Sequence, residues 1–277
     1  KKPDDLFHAA YSQIDTRHMM LQRFANSYIK IEKIGLTAVV TFDRQKNLNA
    51  FDEQLIIELT DVAQSFHNDL ETRVVVLAGS KNYFSAGAEL KADEGTGLDS
   101  DIQKRHAYFR GVRLCEAWEA MPQITIAAVE KLAVGAGVAL PLACDWRVLG
   151  KSCYLYVPEV KIGLNLQWGA LPRLINLVGP ARAKRICLLC EKMDAKTALE
   201  WGLADEVASD GETVKRALEM AATVCEMPQV ATQMVKEAVN ATSGALNRVS
   251  SFADADQSWL TATTDDALGA KDRFSKQ

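Results

Sequence analysis

The chain has 277 residues, of which 48% are hydrophobic and 25% are charged, a balance typical of a packed globular domain. The net charge of −4 provides no excess of basic residues for nucleic acid, and no apolar run is long enough to span a membrane. The first residues, KKPDD, are not followed by an apolar segment of the signal-peptide type. We therefore expect neither nucleic acid nor a membrane as a partner.

The first part of the chain alternates between strand and helix patterns. Residues 1–27 are polar and helical in pattern, and they predict an N-terminal extension. Residues 28–42 predict a hairpin of two strands that turns at 33–35. An amphipathic helix is predicted over 52–68 and a buried strand over 74–78. This alternation predicts an α/β core with parallel strands.

The later part of the chain is mainly helical in pattern. One long helix is predicted over 102–120, ending before Pro122, and an apolar β-branched run follows at 124–129. From Pro180 onward the predicted helices are 181–190, 195–201, 211–226, 230–241 and 249–263. We expect a core followed by a helical C-terminal region.

The six cysteines and four histidines are scattered. Cys187 and Cys190 have CxxC spacing, but they lie in a run of helical pattern and no second pair completes a zinc site. The histidines form no set with the spacing of metal ligands. We expect helix cysteines, no metal, and a reducing compartment. The cytoplasm is the predicted location, with an organelle matrix as the alternative.

Two short segments rich in glycine and alanine carry the chemistry. Residues 84–91 read FSAGAELK and residues 133–139 read AVGAGVA, and each follows an apolar run. Small residues allow a ligand to approach the backbone closely. A strand that runs into a helix start leaves N–H groups without partners. Two such ends that face each other would offer two donors to one oxygen, which is an oxyanion hole.

The same segments carry a family resemblance. FSAGAELK, then IAAVxxxAxGAGxxLxxACD, then VPExKIG resemble the crotonase family, also called enoyl-CoA hydratase/isomerase, over residues 28–274. The resemblance implies an α/β fold, a crotonase-like spiral of ββα units over 28–210. It also implies a C-terminal helical trimerisation region over 211–277, a homotrimer or hexamer, and an acyl-CoA substrate with no separate cofactor. In that family the two donors would be the backbone N–H groups of Ala88 and Ala136.

Glu159 is the main candidate acid/base. From the pattern alone it reads as a surface residue between Val157 and Lys161. The resemblance aligns it with one of the two catalytic glutamates of the hydratases. A carboxylate in an apolar pocket has a raised pKa and can transfer protons near neutral pH.

Ala139 departs from the hydratase pattern, because the second glutamate of that family stands three residues after the second donor. An alanine methyl group cannot transfer a proton, and the loss of one positioned acid/base typically costs roughly 10²–10⁴ in rate. Some isomerases of the family keep only the glutamate that matches Glu159. The leading interpretation is therefore enoyl-CoA double-bond isomerisation. The alternatives are an enoyl-CoA hydratase or dehydratase, an acyl-CoA or C–C bond hydrolase, and a non-catalytic homologue. The acyl group stays open.

The resemblance also assigns substrate-binding residues. The segment 44–50 is similar to the family's RPxxxNA stretch along CoA, with Lys46 near phosphates and Leu48 near the adenine. Gln167 stands where hydratases usually have glycine beside the water site; it either fills that space, binds a polar acyl group, or is a surface residue. Trp168 either lines the acyl pocket or caps the core. The complete set of expected binding residues is Arg44, Lys46, Leu48, Ala50, Ala86, Glu89, Leu90, Lys91, Gln167, Trp168 and Phe274.

Overall fold

The computed structural model describes residues 27–89 and 100–274, the last four as backbone only. In this part of the chain the strands are β1 (Ile29–Ile34), β2 (Thr37–Phe42), β3 (Val74–Ala78), β4 (Ile124–Val129), β5 (Leu132–Val134), β6 (Trp146–Gly150), β7 (Tyr154–Tyr156), β8 (Met193–Asp194) and β9 (Glu206–Ala208). The helices are α1 (Glu53–Phe66), α2 (Asp101–Tyr108), α3 (Arg110–Glu119), α4 (Ala136–Leu142), α5 (Ala170–Leu189), α6 (Ala195–Trp201), α7 (Thr213–Cys225), α8 (Gln229–Ser243), α9 (Asn247–Ser251), α10 (Asp254–Ala262) and α11 (Asp265–Phe274). Two 3₁₀ turns cover Asn47–Asn49 and Glu159–Ile162.

The larger sheet has six strands in the order β1-β2-β3-β4-β6-β9. Strands β1 and β2 form an antiparallel hairpin in which Ile29 lies opposite Phe42. All the other neighbours in this sheet run parallel. The predicted hairpin and the predicted parallel core are both confirmed.

The central strands are buried on both faces, which explains their unbroken apolar runs. On one face Val75 and Leu77 join the main core, which includes α1. On the opposite face Val76 packs in a second cluster that contains Ala217 and Ala221 of α7. Helix α7 lies just after residue 210, where the core was predicted to end, and it covers one face of the sheet.

The smaller sheet has the order β5-β7-β8 and lies next to the two glycine-rich segments. Strands β5 and β7 are parallel, and β7 and β8 are antiparallel. Two isolated parallel bridges, Ser85 with Ala133 and Phe51 with Ala88, join the chain before α1 and after β3 to this region. The predicted α/β architecture with a helical C-terminal region is confirmed.

The prediction of one helix over 102–120 is wrong, because the chain forms α2 and α3 with a break at Phe109. Phe109 has a ψ of −6°, which departs from the helical value and ends α2 at this residue. The guanidinium of Arg113 donates to the carbonyl of His106 at 2.8 Å and so satisfies an acceptor in the last turn of α2.

Three other helix boundaries differ from the prediction. Helix α5 begins at Ala170, and Gly179 (φ 77°) with Pro180 bends it rather than starting it. The predicted helix 249–263 is split between α9 and α10, and α11 was not predicted. The predicted extension 1–27 lies, apart from Ser27, outside the described residues.

A nearly buried ion pair ties α8 to the sheet. Lys236 Nζ donates to Asp145 Oδ2 at 2.7 Å and to the carbonyl of Gln123 at 2.7 Å. The same carboxylate oxygen accepts the backbone N–H and the hydroxyl of Thr125, at the start of β4, at 2.7 and 2.9 Å. Removing the cation would leave a carboxylate with little water around it.

We expect Lys236→Met to lower the free energy of unfolding by about 3–5 kcal/mol, because Asp145 loses its buried counter-charge. The measurement is urea denaturation followed by circular dichroism. Lys196→Met is the matched control, since Lys196 pairs with Glu200 at the surface, at 3.8 Å. Equal midpoints for the two variants would contradict this account of the ion pair.

Candidate active site

The two glycine-rich segments lie side by side. Ser85 N–H donates to the carbonyl of Leu132 at 3.2 Å, and Val134 N–H donates to the carbonyl of Ser85 at 3.0 Å. Because of this pairing, the chain at Ser85 runs parallel to β5. Both segments therefore approach the start of α4. The predicted proximity of the two segments is therefore present in the structure.

Two glycines make this approach possible. A Cβ atom on Gly87 (φ 96°) would lie 2.6 Å from the carbonyl oxygen of Val134 and 3.5 Å from the amide nitrogen of Ala136. A Cβ atom on Gly137 would lie 2.5 Å from the carbonyl oxygen of Ser85. Neither position has room for a side chain, so the backbones touch directly.

This contact leaves two backbone donors close to each other. Ala136 is the first residue of α4, so its N–H has no acceptor within the helix. Ala88 is flanked by hydrogen bonds from Phe51 N–H to Gly87 O and from Glu89 N–H to Phe51 O. Among the described residues, no acceptor is bonded to the N–H of Ala88 or Ala136. Ala88 is an exposed residue at the surface of this contact.

Glu159 lies beside the second of these donors. It is the first residue of the 3₁₀ turn Glu159–Ile162, which follows β7. A Cβ atom on Gly135, the residue before Ala136, would lie 2.5 Å from Glu159 Oε1. The residue as a whole is partly exposed, but Oε2 is buried and has no hydrogen-bond partner in the described part of the chain.

Burial raises the pKa of Glu159 to about 7, and the hydrogen bond from its own backbone N–H opposes this only in part. No neighbouring cation lowers it among the described residues. A carboxyl group with this pKa exists in both protonation states near neutral pH. It can therefore take up a proton and give it back, as an acid/base must.

Ala139 lies one turn into α4, nearly fully buried. Its carbonyl accepts a weak hydrogen bond from the thiol of Cys115 at 3.7 Å. The position that would carry a second carboxylate is thus part of the apolar core, and it contributes no titratable group.

The loop that leads from Glu159 to α5 holds Gln167 and Trp168. Gln167 Oε1 is buried and has no hydrogen-bond partner among the residues that the structure describes. Trp168 is buried, lies 5.7 Å from the ring of Phe51, and covers Gly111, where a Cβ atom would lie 1.9 Å from the indole. The backbone of Phe51 is hydrogen-bonded to the residues on both sides of Ala88. The Trp168 ring therefore packs against a residue that holds the Ala88 donor in place.

Arg44 and Glu89, both expected to bind substrate, are paired with each other. Arg44 is buried, and its Nη2 lies 2.9 Å from Glu89 and 2.6 Å from Asp52, while Nη1 donates to the carbonyl of Ala50. Asn47 also donates to Glu89, at 2.6 Å. These contacts hold the segment 44–52 to the chain after β3, and the expected roles of Arg44 and Glu89 in substrate binding stay predictions.

Other expected binding residues do lie at the surface of the same region. Lys46 is exposed, and the Leu48 side chain is 49% exposed. Ala86 N–H donates to the carbonyl of Leu48 at 3.0 Å, so these two segments meet, whereas Ala50 is buried. Leu90 and Lys91, and the side chain of Phe274, lie outside what the structure describes.

Helices α10 and α11 pack against the chain that follows Glu159. Sequence patterns did not indicate this packing. A Cβ atom on Gly163 would lie 2.4 Å from Ala267 Cα, so α11 rests directly on the chain after Glu159. Asp254 of α10 accepts the N–H of Gly169 at 2.7 Å. These contacts join residues about 85–105 positions apart, and no local pattern marks them.

Cys187 and Cys190 need a small correction. Both are buried, but only Cys187 lies inside α5, while Cys190 ends that helix in a left-handed conformation. In the described residues, no group of three or more metal-ligating side chains comes together, and no helix is long and apolar enough to cross a membrane.

Comparison with known proteins gives one consistent result. A family model described as enoyl-CoA hydratase/isomerase matches residues 33–271. The chain is 31% identical over 211 residues to a short-chain-enoyl-CoA hydratase of Clostridium acetobutylicum, covering 76% of this chain and 80% of that protein. It is 34% identical over 206 residues to a carnitinyl-CoA dehydratase of Citrobacter koseri, covering 74% and 77%. A solved enoyl-CoA hydratase from Mycobacterium avium subsp. paratuberculosis superposes with a TM-score of 0.79 at 26% identity, covering 90% of this chain and 96% of that one.

The burial of Glu159 predicts a pH-dependent stability difference between the wild type and Glu159→Gln. The folded-state pKa of about 7 lies above the ordinary value of 4.5, so the folded state holds this proton more tightly and loses stability as pH rises between the two values. The uncharged glutamine does not titrate. Relative to the wild type, the variant should gain about 2.5 kcal/mol between pH 5 and pH 8, by chemical denaturation at each pH. A constant difference across this range would place the pKa of Glu159 near its ordinary value.

Proposed function

This chain belongs to the crotonase family of enoyl-CoA hydratases and isomerases, and on that premise we propose that it shifts the carbon–carbon double bond of an enoyl-CoA thioester. The coarser statement, that it is a crotonase-type enzyme of CoA thioesters, rests on the family match. The proposal concerns the reaction. It is carried by one observation: the carboxyl group of Glu159, with a pKa of about 7, lies against Gly135, while Ala139 is an alanine in the core.

The proposed reaction needs one acid/base and one anion site. Glu159 takes a proton from C2 of a 3-enoyl-CoA, and the electrons move into the thioester carbonyl to give a dienolate. The same carboxyl group then returns the proton to C4, and the double bond ends between C2 and C3. No water enters the product, so one proton carrier is sufficient.

The backbone N–H groups of Ala88 and Ala136 stabilise the dienolate oxygen in this proposal. Each preorganised donor of this kind contributes about 2.7–4 kcal/mol to transition-state stabilisation. Support comes from their lack of acceptors among the described residues and from the contact of Gly87 with Ala136. Both donors are backbone groups, so their position depends on the glycines rather than on side-chain rotamers.

Hydration is the second candidate, because the two curated relatives described above are named a hydratase and a dehydratase. Hydration needs activation of a water molecule as well as a proton for the α-carbon. Glu159 would have to serve both purposes, or a group on the substrate would have to replace the missing carboxylate. Gln167, whose Oε1 is buried, stands at the position where the family resemblance expects the water site. These points favour isomerisation.

We expect purified protein to convert a 3-enoyl-CoA to the 2-enoyl-CoA faster than it hydrates crotonyl-CoA. Glu159→Gln should lower the isomerisation rate by at least about 10²-fold, because the amide cannot accept the proton. The measurement is mass-resolved chromatography of both reactions. Glu200→Gln, a surface substitution on α6, is the control and should retain the wild-type rate. Efficient hydration of crotonyl-CoA without isomerisation would refute the proposed reaction.

CoA binds, in this proposal, along the exposed residues Lys46 and Leu48. The Lys46 ammonium contacts a phosphate as a point charge, and Leu48 packs near the adenine. The hydrogen bond between Ala86 and Leu48 brings this surface to the start of the segment that carries Ala88. The role of Lys91 in phosphate binding stays a prediction.

We expect Lys46→Gln to weaken CoA binding by about fivefold to tenfold, the effect of losing roughly 1 kcal/mol of charge–phosphate attraction. Titration calorimetry with CoA at low salt measures it. Lys196→Gln changes the net charge equally, far along the chain on α6, and should bind as the wild type does. Identical affinities of the Lys46 and Lys196 variants would remove Lys46 from the CoA surface.

A homotrimer, or a hexamer of two trimers, is the proposed assembly. Large apolar side chains are more than half exposed along α8, α10 and the segment between them, and such faces mark contact surfaces. These residues are Val230, Met234, Val235, Val239, Leu246, Val249, Phe252 and Leu260.

Relatives include proteins named as mitochondrial, and the proposed location is the cytoplasm or an organelle matrix.

We expect light scattering at micromolar concentration to give the mass of three or six chains. Val235→Glu, on the exposed apolar face of α8, should shift the mass toward the monomer, because it places a charge in the proposed contact. Wild-type protein that remains monomeric at this concentration would contradict the proposed assembly.

A further inference from the structure

The segment between Glu159 and α5 has a backbone that its own sequence does not favour. Trp168 has a φ of 66° and Gly169 a φ of 65°, so two successive residues are left-handed and one of them carries a large side chain. A non-glycine residue persists in this region only when its surroundings hold it there. The contacts that hold residues 165–169 therefore decide where Gln167 and Trp168 stand.

Helix α10 supplies contacts to both ends of this segment through one residue. Asp254 Oδ2 accepts the N–H of Gly169 at 2.7 Å, and the carbonyl of Asp254 accepts Asn165 Nδ2 at 3.1 Å. Asp254 is only 5% exposed, and the bond from Gly169 is buried while the bond from Asn165 is partly buried. A buried carboxylate that accepts a backbone N–H makes a stronger bond than a neutral acceptor does.

Arg173 holds the opposite side of the same turn. Its Nη1 donates to the carbonyls of Trp168 and Gly169 at 3.2 and 3.1 Å. Its other nitrogens form a two-fold ion pair with Glu119 of α3, at 2.9 and 2.8 Å. The turn thus has its N–H bound by α10 and its carbonyls bound from α5, and α3 fixes the guanidinium.

The turn at Trp168 and Gly169 positions side chains that lie next to the proposed reaction site. The Trp168 indole contacts Gly111 and Phe51, and the backbone of Phe51 bonds to the residues on both sides of Ala88. At the other end, Leu164 N–H donates to the carbonyl of Glu159 at 2.9 Å. The segment therefore spans the space between the acid/base and one of the two donors.

We infer that Asp254 is a positioning residue that fixes the turn at Trp168 and Gly169, so that α10 sets which acyl groups the enzyme accepts. This inference rests on the proposed function, because it places Gln167 and Trp168 at the wall of the acyl site. Asp254 does not contact the reacting atoms. Its loss should change the selection of acyl groups more than the proton transfer itself.

Three substitutions test this inference. Asp254→Ala removes the acceptor of the Gly169 N–H, Asp254→Asn keeps an acceptor oxygen at the same place, and Asn165→Ala removes only the bond to the Asp254 carbonyl. The control is Asp256→Asn on the same helix, since Asp256 pairs with Arg105 at the surface. Should Asp254→Ala fail to fold, Asn165→Ala carries the test with the same readouts in milder form.

Hydrogen exchange with mass detection reads the position of the turn without any substrate. Asp254→Ala should speed exchange in peptides that contain Gly169, while Asp254→Asn and Asp256→Asn should exchange as the wild type does. Kinetics with enoyl-CoAs of increasing acyl length provide the second readout. For long acyl groups Asp254→Ala should raise KM by about tenfold, the usual effect of one lost buried hydrogen bond, with kcat changed by less than about threefold.

Two results would overturn the inference. One is unchanged exchange at Gly169 in Asp254→Ala or, if that variant does not fold, in Asn165→Ala. The other is a uniform fall in kcat for all acyl lengths with KM unchanged. If the protein turns over no enoyl-CoA at all, the proposed function fails while faster exchange at Gly169 still supports the positioning role of Asp254.

Discussion

The candidate site depends on one constraint: the backbone of residues 85–88 touches the backbone of residues 133–137 without any side chain between them. The hydrogen bonds that join Ser85 to Leu132 and Val134 set the register of this contact. Gly87 and Gly137 then permit a separation that a methyl group would prevent. A donor pair made of backbone atoms is rigid, because sheet and helix hydrogen bonds on both sides hold the peptide planes. The side chains around it can vary without moving it.

The second element of the site is the carboxyl group of Glu159. Its properties result from burial rather than from a rigid network of hydrogen bonds. Glu159 Oε1 lies against Gly135, and its Oε2 is buried with no donor among the described residues to stabilise the ionised form. Proton affinity near neutrality results directly from this lack of stabilisation. The same glycine-rich turn therefore brings the N–H of Ala136 and the carboxyl group of Glu159 together, and a side chain at position 135 would displace the carboxylate.

Sequence patterns were sufficient wherever the determining interactions are local. The unbroken apolar runs of β3 and β4 and the turn from β5 into α4 all result from neighbouring residues, and the structure has them as predicted. The Asp52 side chain that caps α1 is equally local. Arg44 shows the limit of this approach. The resemblance to a CoA-lining motif predicts substrate binding for Arg44, and it gives no sign of the buried ion pair with Glu89, 45 residues further along. Asp254 was missed for the same reason, since its partner Gly169 is 85 residues away. The break at Phe109 and the bend at Gly179 also depend on tertiary contacts or on a single dihedral angle.

The position of α7 has a consequence for how the molecule unfolds. Ala217 and Ala221 cover one face of the central strands, where Val76 and Ile126 are fully buried, and α8 inserts Lys236 beside β4. If these helices detached, the face of the sheet that they cover would meet water and Asp145 would lose its counter-charge. The sheet, α7 and α8 are therefore expected to unfold together, as one cooperative unit.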